Sequence, residues 1–416
     1  STSDQSPSPW QPKPSTAPCK GENIPPHFCM ALDEITKLRE KYVDDLKARG
    51  MIKSEVVERA FRRVERHRLL ESFFYPDPVQ RKFREVNFDP ENPELEILKL
   101  IYSDTPLVTR MVDGIPISST SQPGLVAQML EFLDLKPGQK VLEIGAGTGY
   151  TAALIYEIVG KEGHVITMDI QEDVVAQTQR LLRAAGYDRI EVIFGDGFHG
   201  YYKNAPYDRI VATVGCPDIS LHWVEQLAPE GFMLIPLQHG IEGHNPLTRI
   251  WMEQEKILGK FVGPAGFMTA QGELALEQKV SFEVRRKLVK GQPTEEKPLP
   301  KPLRDWCNLS ITRRSEFFLF ASIVDGRAGW AGIFEPAKGA CILTEKTVLL
   351  YGDAEALYAE LVALASSWAS FGRPGFEEWE LEFVPKGTPL PAKPREYAWI
   401  IPRKFTVEIA QLSPKR

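Results

Sequence analysis

After "LDLKPGQK" the chain settles into short apolar runs that alternate with helical stretches. This alternation limits the possible folds more than any other feature. "VLEI" precedes a helix through Val159, and "HVITMD" precedes one through Ala185. "IEVIF" leads into "GDG", and "DRIVATV" leads to a helix near Trp223 and Leu227. "GFMLIPL", "LTRIWMEQ" and "ILGKFVG" follow. Continuous apolar strands separated by helices signal a sheet that is parallel and covered on both faces. The expected fold class is α/β, a Rossmann-like doubly wound sheet.

Three strand ends carry the ligand signal. The turn after the first strand reads "EIGAGTG", with Glu143, Gly145, Gly147 and Gly149. Glycines between a strand and a helix let backbone N–H groups approach a ligand closely. No GK[ST] closes the loop, so it is not a phosphate-binding P-loop. A carboxylate, Asp169, ends the next strand, about 20 residues on, where it can take ribose hydroxyls. The third strand ends in Gly195-Asp196-Gly197, which places an acid beside an adenine amine. Thr213 ends the fourth strand beside the same crevice. This order favours a class I methyltransferase with S-adenosyl-L-methionine as cofactor over a dinucleotide enzyme. "NAPY", Asn204 to Tyr207, looks like the box of nitrogen-methylating enzymes, but it precedes the fourth strand instead of following it. It reads as the loop that enters that strand.

Charge and cysteine usage exclude other classes. The net charge of −6 argues against a nucleic-acid partner. Five cysteines, Cys19, Cys29, Cys216, Cys307 and Cys341, are widely spaced with no CxxC. That argues against a zinc site or disulfide framework, predicts no metal, and suits a reducing cytoplasm. No apolar run is long enough for a membrane span, so no membrane partner is expected. Residues 1–29 read as a disordered Ser/Pro-rich tail. Two helices follow, the second capped by Ser54. The segment from Tyr75 to Glu94 reads as surface loop. Residues 30–284 form the expected catalytic domain and 285–303 a charged, Pro-rich linker. Residues 304–416 read as a separate C-terminal α+β domain for peptide recognition or dimerisation. Its expected strands include "FFLFASIV", and its main helix is expected to be capped by Asp353.

The acceptor side is less explicit. "ISSTSQPG", Ile117 to Gly124, offers four hydroxyls just before the helix that leads to the glycine loop. Hydroxyls can orient a carboxylate, which is ionised at neutral pH and needs no general base, so catalysis would rest on proximity. By composition alone the same residues are a Ser-rich helix cap. Asp104 could order this loop or be a plain surface residue. His67 reads as packing or capping, His199 as a solvated loop residue and Cys216 as a small buried residue. The tryptophans Trp306, Trp330, Trp368, Trp379 and Trp399 read as core with a groove as the alternative.

Here the sequence resembles a known family. "ISSTSQPGLVAQMLEFLDLKPGQKVLEIGAGTGYTAALIYEIVG", "IEVIFGDGFHGYYKNAPYDRIVATVGC" and "LKARGMIKSEVVERAFRRVERH" are similar to the core of protein-L-isoaspartate O-methyltransferases. The resemblance implies that Ser121, Ser119 and Thr120 hold the substrate carboxylate. It also implies a peptide or protein substrate that carries an Asp or isoAsp carboxylate. Repair enzymes have GQTISAPH, whereas this chain has Ile117-Ser118 for GQ and Gly124 for the His. With its C-terminal "WASFGRPG", the chain is also similar to the FxLD-system methyltransferases of lanthipeptide and graspetide pathways. That similarity implies esterification of an aspartate in a macrocyclised precursor peptide, leading to a succinimide (aspartimide) and isoaspartate. General protein repair is the alternative, and a noncatalytic cofactor-binding module is the alternative of another class.

Overall fold

The structure, a computed structural model, describes residues 26–76, 82–241, 243–276, 287–289, 291–304, 311–391 and 397–413. Helices α1 (Pro26–Ala48) and α2 (Glu55–Arg63) open the fold. Helix α1 begins inside the segment read as tail, and residues 1–25 lie outside the described residues. Ser54 caps α2 as expected, its hydroxyl accepting from Val57 N at 3.4 Å.

Strands β1 (Ser72–Pro76), β2 (Phe83–Asn87), β3 (Leu107–Val112) and β4 (Ile115–Thr120) form a small antiparallel sheet in the order β2-β1-β3-β4. The stretch read as loop from Tyr75 to Glu94 thus carries β2. Its sequence hides this because only Val86 of that strand is buried, which leaves no clean alternation. Helix α3 (Leu95–Ile101) bridges the two hairpins, and α4 (Pro123–Leu133) leads into the central sheet.

The central sheet contains β5 (Lys140–Ile144), β6 (His164–Asp169), β7 (Glu191–Phe194), β8 (Tyr207–Ala212), β9 (Leu227–Pro236), β10 (Leu247–Glu253) and β11 (Lys256–Gly263). Helices α5 (Tyr150–Val159), α6 (Glu172–Ala184) and α7 (Leu221–Glu225) connect its parallel part. Strands β7-β6-β5-β8-β9 are mutually parallel. Strand order reverses between β5 and β8, where doubly wound sheets bind ligands. "NAPY" is the loop that enters β8, as expected.

In the C-terminal region, β12 (Glu295–Pro298), β13 (Ala328–Gly329), β14 (Gly332–Glu335), β15 (Gly339–Leu343) and β16 (Thr347–Gly352) form a five-stranded sheet. The expected linker therefore contributes a strand, because Glu295–Pro298 pairs with β16. The expected strand "FFLFASIV" lies in the helix Ile311–Val324. That helix buries Phe317, Phe318, Leu319, Phe320 and Ala321 in succession, and a short run that is apolar all round has no readable period. The helix Glu355–Ser370 has Ala354 at its N-cap with no side-chain bond, so Asp353 is not its cap.

The last strands, β17 (Trp379–Pro385), β18 (Ala398–Pro402) and β19 (Thr406–Leu412), continue the central sheet. Their order is β18-β19-β17-β11, with Leu258 opposite Glu382. The C-terminal α+β region is present as expected, and it shares a ten-stranded sheet with the catalytic region instead of standing apart. Alternation along the strands explains how. One face of the sheet, with Leu142, Ile210 and Met233, packs in a single core with Phe317, Trp368 and Trp379. The other face, with Val141, Val211 and Phe232, packs with Val43, Phe61 and Leu130 from the N-terminal helices. No helix among the described residues is long and apolar enough to cross a membrane.

Candidate active site

A cavity of about 350 Å³ opens at the carboxyl ends of β5, β6 and β8. Ser119, Thr120 and Ser121 line it together with Glu143, Gly145, Gly147, Asp169, Asp196, Gly197 and Thr213. Sequence residues more than seventy positions apart thus meet in one space. Gly149 is the exception. It caps α5 with φ 82°, and a Cβ there would sit 2.9 Å from Leu182, so it serves helix packing instead of the cavity wall.

The strand-to-helix turn is shaped for close approach. Gly147 has φ +52°, and a Cβ there would lie 3.1 Å from the Ser119 carbonyl. The acceptor loop and the glycine loop therefore face each other at backbone distance. Thr213 closes the floor by donating its hydroxyl to the Gly145 carbonyl at 2.7 Å.

The acids differ in environment. Glu143 is 1% exposed and accepts from the Thr167 hydroxyl at 2.7 Å. Burial lifts its carboxyl from 4.5 to about 8, Asp169 adds to this, and the Thr167 bond opposes it. Asp169 accepts from Gln171 N at 3.0 Å and Gly147 N at 3.3 Å. Burial raises its carboxyl above the ordinary range despite these donors. Asp196 accepts from Phe198 N at 2.9 Å and from Glu273 N at 2.8 Å. It therefore ties the loop after β11 to the end of β7.

Two groups hold the hydroxyl loop. Asp104 accepts from Gly124 N at 2.6 Å, at the first turn of α4, and from Arg49 Nη2 at 2.6 Å. It orders the loop, which decides between the two readings of that residue. Arg66 is fully buried and donates to the carbonyls of Ile101 at 2.6 Å, Ser103 at 3.2 Å, Thr105 at 3.2 Å and Ser121 at 3.3 Å. The Thr120 hydroxyl is buried without a hydrogen-bond partner, and Thr120 lines the cavity.

Sequence reading missed Arg66 and the loop from Gly266 to Gln271, which also lines the cavity. That loop is anchored by Gly215 N to the Met268 carbonyl and by Ala270 N to the Gly215 carbonyl, both at 2.8 Å. A long-range backbone pairing of this kind leaves no mark in the sequence. Arg66 gave no such signal either, because it lies in the charged run Glu65-Arg66-His67-Arg68, where burial of one arginine cannot be told from exposure of all.

The residues weighed as ordinary are so. His67 is buried with Nδ1 2.8 Å from the Tyr102 hydroxyl, and burial lowers its imidazole to about 4. His199 Nε2 lies 2.9 Å from Glu273 Oε1, and the residue is exposed. Burial raises the Cys216 thiol far from the nucleophilic range. Trp368 and Trp379 are core, Trp330 and Trp399 are half-buried, and Trp306 lies outside the described residues.

The cavity fits an adenosyl cofactor by its construction. A glycine turn that a side chain would fill, a buried acid at the next strand end and an acid after the third strand surround one space. No group of three or more His, Cys, Asp or Glu side chains suited to a metal ion occurs among the described residues.

Comparison with known proteins agrees. Residues 37–274 match the family described as protein-L-isoaspartate(D-aspartate) O-methyltransferase (PCMT). The chain is 40% identical over 250 residues to the protein-L-isoaspartate O-methyltransferase of Hyperthermus butylicus, spanning 56% of this chain and 89% of that one. It is 28% identical over 311 residues to the protein of the same name from Thermotoga maritima, spanning 74% of this chain and 92% of that one. A solved protein-L-isoaspartate O-methyltransferase superposes with a TM-score of 0.49 at 26% identity, over 83% of this chain and 96% of that one.

Proposed function

We propose, from the premise that this chain belongs to the protein-L-isoaspartate(D-aspartate) O-methyltransferase family and is an S-adenosylmethionine-dependent carboxyl O-methyltransferase, that its acceptor is an isoaspartyl carboxylate in a peptide or protein. The observation that carries this reading is the hydroxyl loop Ser119–Ser121 facing the glycine turn across one cavity. S-adenosylmethionine, when bound, supplies an electrophilic methyl group on a cationic sulfonium. Glu143, Asp169, Asp196 and the Gly145–Gly147 turn are the residues that would hold it.

The protein's part is positioning. Ser119 and Ser121 would donate hydrogen bonds to the carboxylate and fix one oxygen toward the methyl group. Thr120 stands between them, its hydroxyl buried and without a partner. The carboxylate needs no base at neutral pH, so rate comes from orientation and from excluding water. Arg66 and Asp104 keep the loop in place for that task. Residues 30–284 would carry the chemistry, and 304–416 would complete the fold around it.

A second reading is favoured by one local observation. Gly124 replaces the family's histidine, and a Cβ at that position would lie 2.8 Å from Asp104 Oδ2. The space a larger residue would need is taken by the carboxylate that caps α4. This departure, with Ile117-Ser118, supports an acceptor other than a general repair substrate. The alternative is the aspartate of a macrocyclised ribosomal peptide, esterified so that the neighbouring backbone nitrogen closes a succinimide.

Competition decides between them. The protein is given S-adenosylmethionine with an equimolar linear isoaspartyl peptide and a macrocyclic peptide bearing ordinary aspartate. Mass spectrometry reads which gains a methyl ester or loses water. Turnover of the isoaspartyl peptide alone supports the first reading. Turnover of the macrocycle alone replaces it with the second.

A further inference from the structure

The β18–β19 turn, Arg403 to Thr406, reaches three loops that border the cavity. Lys404 Nζ donates to the carbonyls of Glu273 at 2.8 Å and Ala275 at 3.1 Å, in the loop after β11. Phe405 packs its ring on Phe198 with 4.8 Å between centroids, in the loop after β7. Asp218, in the loop after β8, is fully buried and accepts from Phe405 N at 2.6 Å, Thr406 N at 3.0 Å and Thr406 Oγ1 at 2.6 Å. Arg403 donates to the carbonyls of Pro217 at 2.7 Å and Gln238 at 2.9 Å, and pairs with buried Glu408.

These loops form the wall where the adenosyl group would lie. Phe198 and Leu274 line the cavity, and Glu273 N donates to Asp196. Val214 and Ala270 line it too, from segments joined through Gly215. A single turn, more than a hundred residues beyond the catalytic region, therefore fixes the relative position of three cavity walls. Loops are ordinarily the least stable parts of a fold, and these take part of their anchorage from the C-terminal region.

We infer that the Arg403–Thr406 turn is a positioning element for cofactor binding. The C-terminal region thereby sets the affinity for the methyl donor, and cofactor occupancy in turn tightens the turn against Asp218. Linkage requires both directions, since any element that improves binding is itself stabilised by the ligand. The role concerns the cofactor end of the cavity and does not depend on which carboxylate is methylated.

Lys404→Ala tests this in the full-length protein, because Lys404 is only partly buried and its removal leaves the core intact. S-adenosylhomocysteine is titrated by calorimetry into the wild type, Lys404→Ala, Lys404→Arg and the control Lys256→Ala. Lys256 lies on β11 in an exposed pair with Glu382. The expected result is an affinity about fivefold weaker in Lys404→Ala, the effect of losing two charge-assisted hydrogen bonds to the loop after β11. Lys404→Arg recovers most of it, and Lys256→Ala matches the wild type. The KM for cofactor follows the same order while the KM for the peptide stays constant. Hydrogen exchange at the Phe405 and Thr406 amides slows when S-adenosylhomocysteine is added. Equal affinity in all four proteins overturns the inference, as does exchange at those amides that is indifferent to ligand.

Discussion

Replacing Glu143 by glutamine probes the most perturbed carboxyl in the cavity. Glu143 is 1% exposed, and its carboxyl is lifted by burial from 4.5 to about 8. The unfolded chain gives up this proton near the ordinary value, while the folded chain keeps it until pH 8. Between those values the folded state binds more protons, so stability falls as pH rises through the window. The loss is about 1.4 kcal/mol per pH unit, or roughly 4 to 5 kcal/mol across the window. That is a large share of the roughly 5 to 15 kcal/mol that holds a typical domain folded. Glutamine keeps the shape and the acceptor oxygen for Thr167, and it has no proton to lose. Asp169 is present in both proteins, so the comparison isolates Glu143 and its coupling to that neighbour. Urea unfolding without cofactor, at half-unit steps from pH 5 to pH 9, measures the difference. The variant should gain on the wild type by about 1.4 kcal/mol per unit up to about pH 8, then level off. Parallel curves across the whole range would refute the reasoning, because they would mean that the buried carboxyl is ionised throughout.

Three further substitutions probe other parts of the site. Gly147→Ala forces a left-handed φ on an L-residue and brings a methyl group to 3.1 Å from the Ser119 carbonyl. It should cost about 1 to 2 kcal/mol in thermal unfolding and weaken S-adenosylhomocysteine at least about tenfold by calorimetry, and unchanged affinity would remove this turn from the cofactor site. Asp104→Ala removes the acceptor for Gly124 N and the partner of Arg49. It should cost about 1 kcal/mol and raise the KM for the peptide while leaving S-adenosylhomocysteine affinity unchanged, as read in steady-state kinetics and calorimetry. In Glu408, burial raises the carboxyl, but Arg403 and His239 outweigh it and hold it at about 2. Its contribution is complete above the ordinary carboxylate range and is lost as pH falls through about 2. Glu408→Gln leaves Arg403 buried without a counter-charge, should cost roughly 3 to 5 kcal/mol at pH 7, and should shrink that gap in acid titrations followed by fluorescence.

The sheet and cofactor turn were legible because their signals are local and repeated. Val141–Ile144 and His164–Asp169 are apolar runs that carry a carboxylate at or next to their last residue, and glycine turns or helices follow them. The acceptor loop needed the family resemblance, since four hydroxyls before a proline are also what a helix cap looks like. The C-terminal region was legible in its later strands and its long helix, but not in the helix Ile311–Val324 and not as architecture. The β-branched pattern of "KFTVEIAQL" reveals a strand but cannot name its neighbour, so the joining of β17 to β11 could not be read. The buried group Asp218, Arg403 and Glu408 escaped for the same reason. Each is an ordinary charged residue until the fold places positions 218 and 406 within 2.6 Å.

The pairing of β11 with β17 also bears on how the protein could be divided. A polypeptide ended before residue 285 would keep every cavity acid and hydroxyl and all of the residues 37–274 that match the family. It would also leave β11 as the outermost strand, with Ile257, Leu258 and Gly259 lacking the backbone partners they find in Phe383, Glu382 and Leu381. Phe261, 1% exposed in the whole chain, would lose the Trp379 ring that packs on it. A bare, apolar strand edge recruits other copies of itself. Such a fragment is expected to precipitate or form multimers on the bench, even though its chemistry looks complete on paper.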